Sequence, residues 1–140
     1  VTAWRPAYFA RSRSVGTRGE GEKFREKIAT HMRSALEQSG GAWLPAIHPE
    51  MEADRALREA AGGTRLLLDA NGTALLTQPI GSGVALAVGP EGGLEREELE
   101  MAEGHGWTTV SLGSTTLRFE TAIIAGAAVI RAAQLRPGRM

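Results

Sequence analysis

Apolar and polar residues alternate along the chain in two different rhythms. Trp4 to Phe9 is a short aromatic-bearing segment interrupted by Pro6, which suits an edge or terminal strand. Residues 16–22, GTRGEGE, read as a loop. From Lys23 to Ser39, Phe24, Ile28, Met32, Ala35 and Leu36 recur at helical spacing, and Gly40-Gly41 supply a stop. AWLPAIHP follows as a brief extended segment punctuated by Pro45 and Pro49, and Glu52 to Ala61 predicts a short helix closed by Gly62-Gly63.

The second half is more regular. Arg65 to Asp69, RLLLD, predicts a buried strand ending in a carboxylate, with Asn71-Gly72 as a turn and Gln78 to Gly83 as loop. Val84 to Val88 is a continuous apolar strand of the kind found inside parallel sheets. GPEGG follows, then a helix from about Leu94 to Glu103, a strand from Thr108 to Leu112, the loop GSTTLR, and a final helix from Glu120 to Gln134. Strands alternating with helices predict an α/β fold with a parallel sheet flanked by helices. Ligands in such folds bind beyond the carboxyl ends of the strands. The loops leaving those ends are 69–72, 89–93 and 113–118, so they are expected to converge on one site.

Composition narrows the chemistry. The 140 residues form the amount of chain typical of one domain, assigned here to 1–140, and the 42% hydrophobic content supports a core. With no cysteine, disulfides, thiolate zinc sites and cysteine nucleophiles are excluded. The longest apolar run, Ala122 to Ile130, is too short to span a bilayer, and the first residues lack a signal-peptide layout. The expectation is a cytoplasmic protein with no membrane association. Net charge is zero, but Arg5, Arg11, Arg13 and Arg18 precede Gly19 with no acid among them. They form either a solvated end or a local anion-binding surface.

GPEGG offers glycines that let backbone approach a ligand closely, stiffened by Pro90. A phosphate cradle is disfavoured: the Walker lysine is missing, and Glu91, Glu95, Glu97 and Glu98 crowd the following helix start. That charge suits a neutral or cationic ligand, or simply a tight strand-to-helix turn. At LRFETA, Arg118 and Glu120 enter the last helix, either as a fixed cation for a developing anion or as a cap with an Arg–Glu pair. His31, His48 and His105 are scattered and suggest no metal site, and no GxSxG element occurs. The last helix is apolar on more than one face, as a core helix or a subunit interface would be.

LLLD at Leu66 to Asp69, VGPEGGLEREELEMA at Val88 to Ala102 and SLGSTTLRFETA at Ser111 to Ala122 together resemble one family, the RsmE-type 16S ribosomal RNA uridine methyltransferases of the SPOUT superfamily. Gln38-Ser39-Gly40, Leu44-Pro45 and Ile47-His48-Pro49 look like that family's upstream segment. The resemblance implies an S-adenosyl-L-methionine (SAM)-dependent enzyme that methylates N3 of a uridine in 16S ribosomal RNA within the small subunit. It also implies a C-terminal trefoil knot and a homodimer, without a metal. By the same resemblance, Leu68, Asp69, Gly89, Glu91, Gly92, Gly93, Leu112, Gly113, Leu117 and Arg118 would bind the cofactor. Arg118 would stabilise the uridine anion, and Glu120 or Glu91 would take or relay its proton.

Three departures from the family are visible. These 140 residues hold no PUA-like barrel of the kind that begins family members, the first strand–helix unit looks curtailed, and Gly41 stands where the family's QSGR has arginine, as expected of a fragment or a divergent stand-alone protein. They keep open a second reading, a non-catalytic knotted dimerisation or RNA-binding module. A third, an α/β enzyme for another small nucleotide, is disfavoured by the acidic helix start.

Overall fold

A computed structural model of the chain describes residues 1–12 and 21–136. Of the loop read over 16–22, residues 16–20 lie outside that range, and Gly21 already begins a helix. In order, the elements are β1 (Ala3–Trp4), β2 (Ala7–Tyr8), α1 (Gly21–Ser39), β3 (Ala46–Ile47), β4 (Met51–Glu52), α2 (Ala53–Glu59) and β5 (Thr64–Ala74). A 3₁₀ turn (Leu75–Thr77) leads to β6 (Val84–Val88), α3 (Arg96–Gly104), β7 (Thr108–Ser111) and α4 (Phe119–Gln134).

The central sheet has the order β6-β5-β7 with both pairings parallel. β5 lies between the other two, which explains its run of leucines: a central strand is covered on both faces, so successive side chains must all be apolar. Leu67 is fully buried on one face with Phe9, Ala53, Leu57, Ala102 and Trp107, under α2 and α3. Leu66 and Leu68 point to the other face with Leu75, Val110 and Ile130, under α4. Each leucine so buried contributes about 1.5–3 kcal/mol. Gly126 lets α4 settle onto that face, since a Cβ there would stand 3.1 Å from Leu68 and Leu86.

The N-terminal strand expected from Trp4 to Phe9 is instead two short pieces. β1 pairs with β3 and β2 with β4, both parallel, on either side of Pro6 and Pro49. Neither proline has an N–H to give, so the ladder breaks there, although the Pro6 carbonyl still accepts from the Met51 N–H at 3.1 Å. Trp4 packs against Phe24 of α1, their ring centroids 6.2 Å apart. Glu50 fastens the start of α1, accepting from the Gly21 N–H and from Arg25 Nη1 at 3.4 and 3.1 Å.

The largest departure from the sequence reading is at Asn71-Gly72, expected to end the strand. β5 instead continues to Ala74, because Leu68 and Thr73 both pair with Val110. Residues 69–72 therefore leave the ladder, and the chain rejoins it at the same residue of β7. Asp69 holds this excursion, its Oδ1 accepting from the Asn71 N–H at 2.9 Å.

Away from the sheet ends, His105 Nε2 lies 2.8 Å from Asp54 Oδ1 and joins the end of α3 to the start of α2. The hydrogen bond from His105, with a smaller pull from Arg58, holds the Asp54 carboxyl below its ordinary value. A carboxyl depressed in the folded state stabilises it above the unfolded pKa of about 3.9 and loses that contribution as pH falls through the folded value. Asp54→Asn is therefore expected to lower the melting temperature at pH 6, with the gap to wild type closing below pH ~4. Thermal unfolding of both proteins across this range measures it.

Candidate functional site

The site is built by the sheet's own topology. The 69–72 excursion within β5 and the loops after β6 and β7 meet around one open cleft of about 200 Å³. From β5 at the start of the excursion come Leu68, Asp69 and Ala70; from the β6 end, Val88, Gly89, Pro90, Glu91, Gly93 and Leu94. From β7 come Val110, Ser111, Leu112, Gly113, Thr115, Thr116 and Leu117, and the start of α4 adds Phe119 and Ala122.

Local chemistry explains the shape of each wall. Pro90 to Gly93 is a β-turn closed by the Gly93 N–H on the Pro90 carbonyl at 2.9 Å. Gly93 takes φ +82°, a left-handed conformation that a side chain would strain. The chain then runs extended through Glu95 (φ −79°, ψ 158°), which caps α3, so the helix begins at Arg96 and not at Leu94. Glu95 and Glu98 form a capping box, with the Glu95 N–H donating to Glu98 Oε2 at 2.8 Å. The acidic cluster thus divides: Glu95 and Glu98 serve the helix, whereas Glu91 faces the cleft. Beyond β7, the Ser111 hydroxyl donates to the Gly113 carbonyl at 2.7 Å and accepts from the Gly113 N–H at 3.0 Å.

Of the sequence-assigned residues, Leu68, Asp69, Gly89, Glu91, Gly93, Leu112, Gly113 and Leu117 come together on the wall. Gly92, Arg118 and Glu120 are not part of it. Gly92 is turned to the N-terminal segment, its carbonyl accepting from Arg11 Nη1 at 3.0 Å. Arg118 is the residue before α4 and is exposed, and among the described residues its guanidinium makes no hydrogen bond or ion pair. The Arg–Glu pair considered for Arg118 and Glu120 is therefore not formed. Val88, Leu94, Thr115, Thr116 and Phe119 also line the cleft and had no individual role assigned from the sequence, although they lie within its two quoted motifs. Among the described residues no group of three or more His, Asp or Glu could hold a metal ion.

Of the N-terminal arginines, two have partners within the fold: Arg5 Nη1 donates to the Pro49 carbonyl at 2.8 Å, and Arg11 binds Gly92 and Glu95. Arg13 and Arg18 lie outside the described residues.

The wall as a whole combines glycine backbone, apolar and hydroxyl side chains and two carboxylates, and among the described residues it holds no lysine or arginine. In open parallel sheets, small-molecule ligands bind at the carboxyl ends of the strands, which is where this cleft lies. The model of the RNA methyltransferase domain family matches residues 1–131, and the chain belongs to that family. Within it, the chain is 30% identical to the ribosomal RNA small subunit methyltransferase E of Synechocystis sp., over 94% of this chain and 45% of that protein. Among solved structures, it is similar to the enzyme of the same name from Neisseria gonorrhoeae bound to S-adenosyl methionine, with a TM-score of 0.79 and 30% identity. That likeness covers 96% of this chain and 55% of the other. A Legionella pneumophila protein described as a methyltransferase, with bound SAM, matches at a TM-score of 0.77 and 32% identity over 95% of this chain and 56% of its own. The chain thus spans about half the length of these relatives.

Proposed function

We propose that the chain is the catalytic domain, over 1–140, of a SPOUT-class methyltransferase with a C-terminal trefoil knot. It uses SAM to methylate N3 of a uridine in 16S ribosomal RNA in the cytoplasm. The observation that carries this reading is the cleft: the β5 excursion and the loops after β6 and β7 converge on it, and among the described residues no cationic side chain lines it. The wall fits SAM chemically. Leu68, Val88, Leu112 and Leu117 offer apolar surface for a flat heterocycle, and the backbone of Gly89 and Gly93 offers close-approaching polar groups. Asp69 and Glu91 offer carboxylates to ribose hydroxyls, an ammonium and a sulfonium. When bound, SAM supplies an electrophilic methyl group.

The chain's own residues must then prepare the acceptor. Uridine N3 is a weakly acidic imide nitrogen, and its lone pair becomes nucleophilic when the proton leaves. Glu91 at the cleft, or Glu120 in the first turn of α4, takes that proton. Arg118, beside wall residues Leu117 and Phe119 and uncommitted to any other group among the described residues, stabilises the negative charge spread over the flanking carbonyl oxygens. A homodimer accompanies this role: Leu117, Phe119 and Ile124 are 38%, 40% and 70% exposed along the start of α4, apolar surface that a second copy would cover.

The test is methyl transfer from labelled SAM to small-subunit ribosomal RNA, followed by nucleoside mass spectrometry. N3-methyluridine is the expected product; a methyl group on another base position would contradict the assignment. A second reading, a knotted module that binds without transfer, is favoured by the position of Arg118 and Glu120 outside the cleft wall. Saturable SAM binding with no transfer to any small-subunit RNA would support it.

A further inference from the structure

The GPEGG turn does not hold its shape alone. The segment Phe9–Ser12 lies across its outer side, tied to it and to the start of α3 by three contacts. Arg11 Nη1 donates to the Gly92 carbonyl at 3.0 Å, and Arg11 Nε lies 3.5 Å from Glu95 Oε1. The Ala10 N–H donates to Glu98 Oε1 at 2.6 Å, the same carboxylate whose other oxygen receives the Glu95 N–H. Packing adds to this, because a Cβ on Gly92 would stand 3.1 Å from the Arg11 Cβ. The segment is itself anchored: Phe9 is buried in the core with Leu67 and Ala102, and the Phe9 N–H donates to the Ser12 hydroxyl at 3.0 Å.

Arg11, itself outside the cleft wall, therefore fixes the residue of the turn that stands between Glu91 and Gly93, both of which line the cleft. A glycine-rich turn loses much backbone freedom on adopting a single conformation, and a ligand that needed to order it would bind more weakly. We propose that Arg11 is a positioning residue for the cofactor site: its guanidinium pre-organises Glu91 and Gly93 by holding the Gly92 carbonyl and Glu95 together. Lysine cannot reproduce this, since one ammonium lacks the planar fork that reaches two acceptors in fixed directions. Arg11 does not touch the cleft itself.

The proposal rests on the SAM reading above, and the experiment separates the two. SAM affinity is measured by calorimetry for wild type, Arg11→Ala, Arg11→Gln and Arg11→Lys, alongside hydrogen exchange of residues 89–95 in the ligand-free proteins. Trp107→Phe, which removes the indole bond to the Leu57 carbonyl and touches no residue of the turn's contacts with Arg11, serves as a control for general destabilisation. The expected result is an affinity loss of about tenfold for alanine and glutamine, less for lysine. It comes with faster exchange confined to 89–95, whereas Trp107→Phe lowers the melting temperature without changing affinity. Unchanged affinity and exchange in the Arg11 variants would overturn the positioning role. If wild type does not bind SAM, the cofactor reading fails, and unchanged exchange would still overturn the role of Arg11 in holding the turn.

Discussion

Gly72→Ala is expected to destabilise the protein by about 3 kcal/mol and to remove SAM binding with it. The reason is the return of β5 to the ladder. Gly72 passes so close to β7 that an added Cβ would stand 2.6 Å from both the amide nitrogen and the carbonyl carbon of Val110. Backbone cannot rotate away as a side chain can, so either β7 moves or the 69–72 excursion unravels. Val110 is fully buried and lies opposite both Leu68 and Thr73, so displacement of β7 opens the core under α4. It also carries Leu112 and Gly113 away from Asp69 across the cleft. Chemical denaturation and calorimetric titration of the same variant measure the two effects. Gly83→Ala is the comparison, because its nearest neighbours stand at 3.8 Å and a Cβ there fits in ordinary contact. Equal stability of the two variants would mean that the close approach at Gly72 is not what holds the excursion.

Arg118→Ala is expected to reduce methyl transfer by about a thousandfold while leaving SAM affinity within about twofold. Its guanidinium makes no contact that folding depends on among the described residues, and it is absent from the cleft wall. Both facts separate its role from stability and from cofactor binding. The informative comparison is kcat against the SAM dissociation constant for wild type, Arg118→Ala and Arg118→Lys. Lysine keeps the charge and loses the planar fork, so partial recovery would indicate that charge stabilisation dominates. Loss of folding or of SAM binding would refute the assigned role.

Much of this arrangement was legible in the sequence, and the places where it was not have physical causes. Two strands of the central sheet, β5 and β6, declared themselves through continuous apolar runs, because strands covered on both faces tolerate little else, whereas β7 is the short segment TTVS. The convergence of the loops after them followed from parallel topology. The interruptions at Pro6 and Pro49 were visible, but the pairing of residues 3–8 with 46–52 was not, since contact between distant segments leaves no local mark. Asn71-Gly72 carried the signature of a turn and does turn, but only a tertiary contact with Val110 makes the chain rejoin the same ladder. Arg11 was grouped with its neighbours as a basic end; its bond to Gly92, 81 residues away, required the fold to bring the two together. The backbone of the glycine turn was read as uniformly ligand-facing, although successive carbonyls in a β-turn point in different directions. Gly92 accordingly faces the N-terminal segment and Gly93 the cleft.

The central claim is that the cleft between the three loops binds SAM, and calorimetric titration of the purified chain with SAM and with S-adenosylhomocysteine tests it most directly. Saturable binding of both, near one site per chain, is the expected result. A folded chain that binds neither would contradict it.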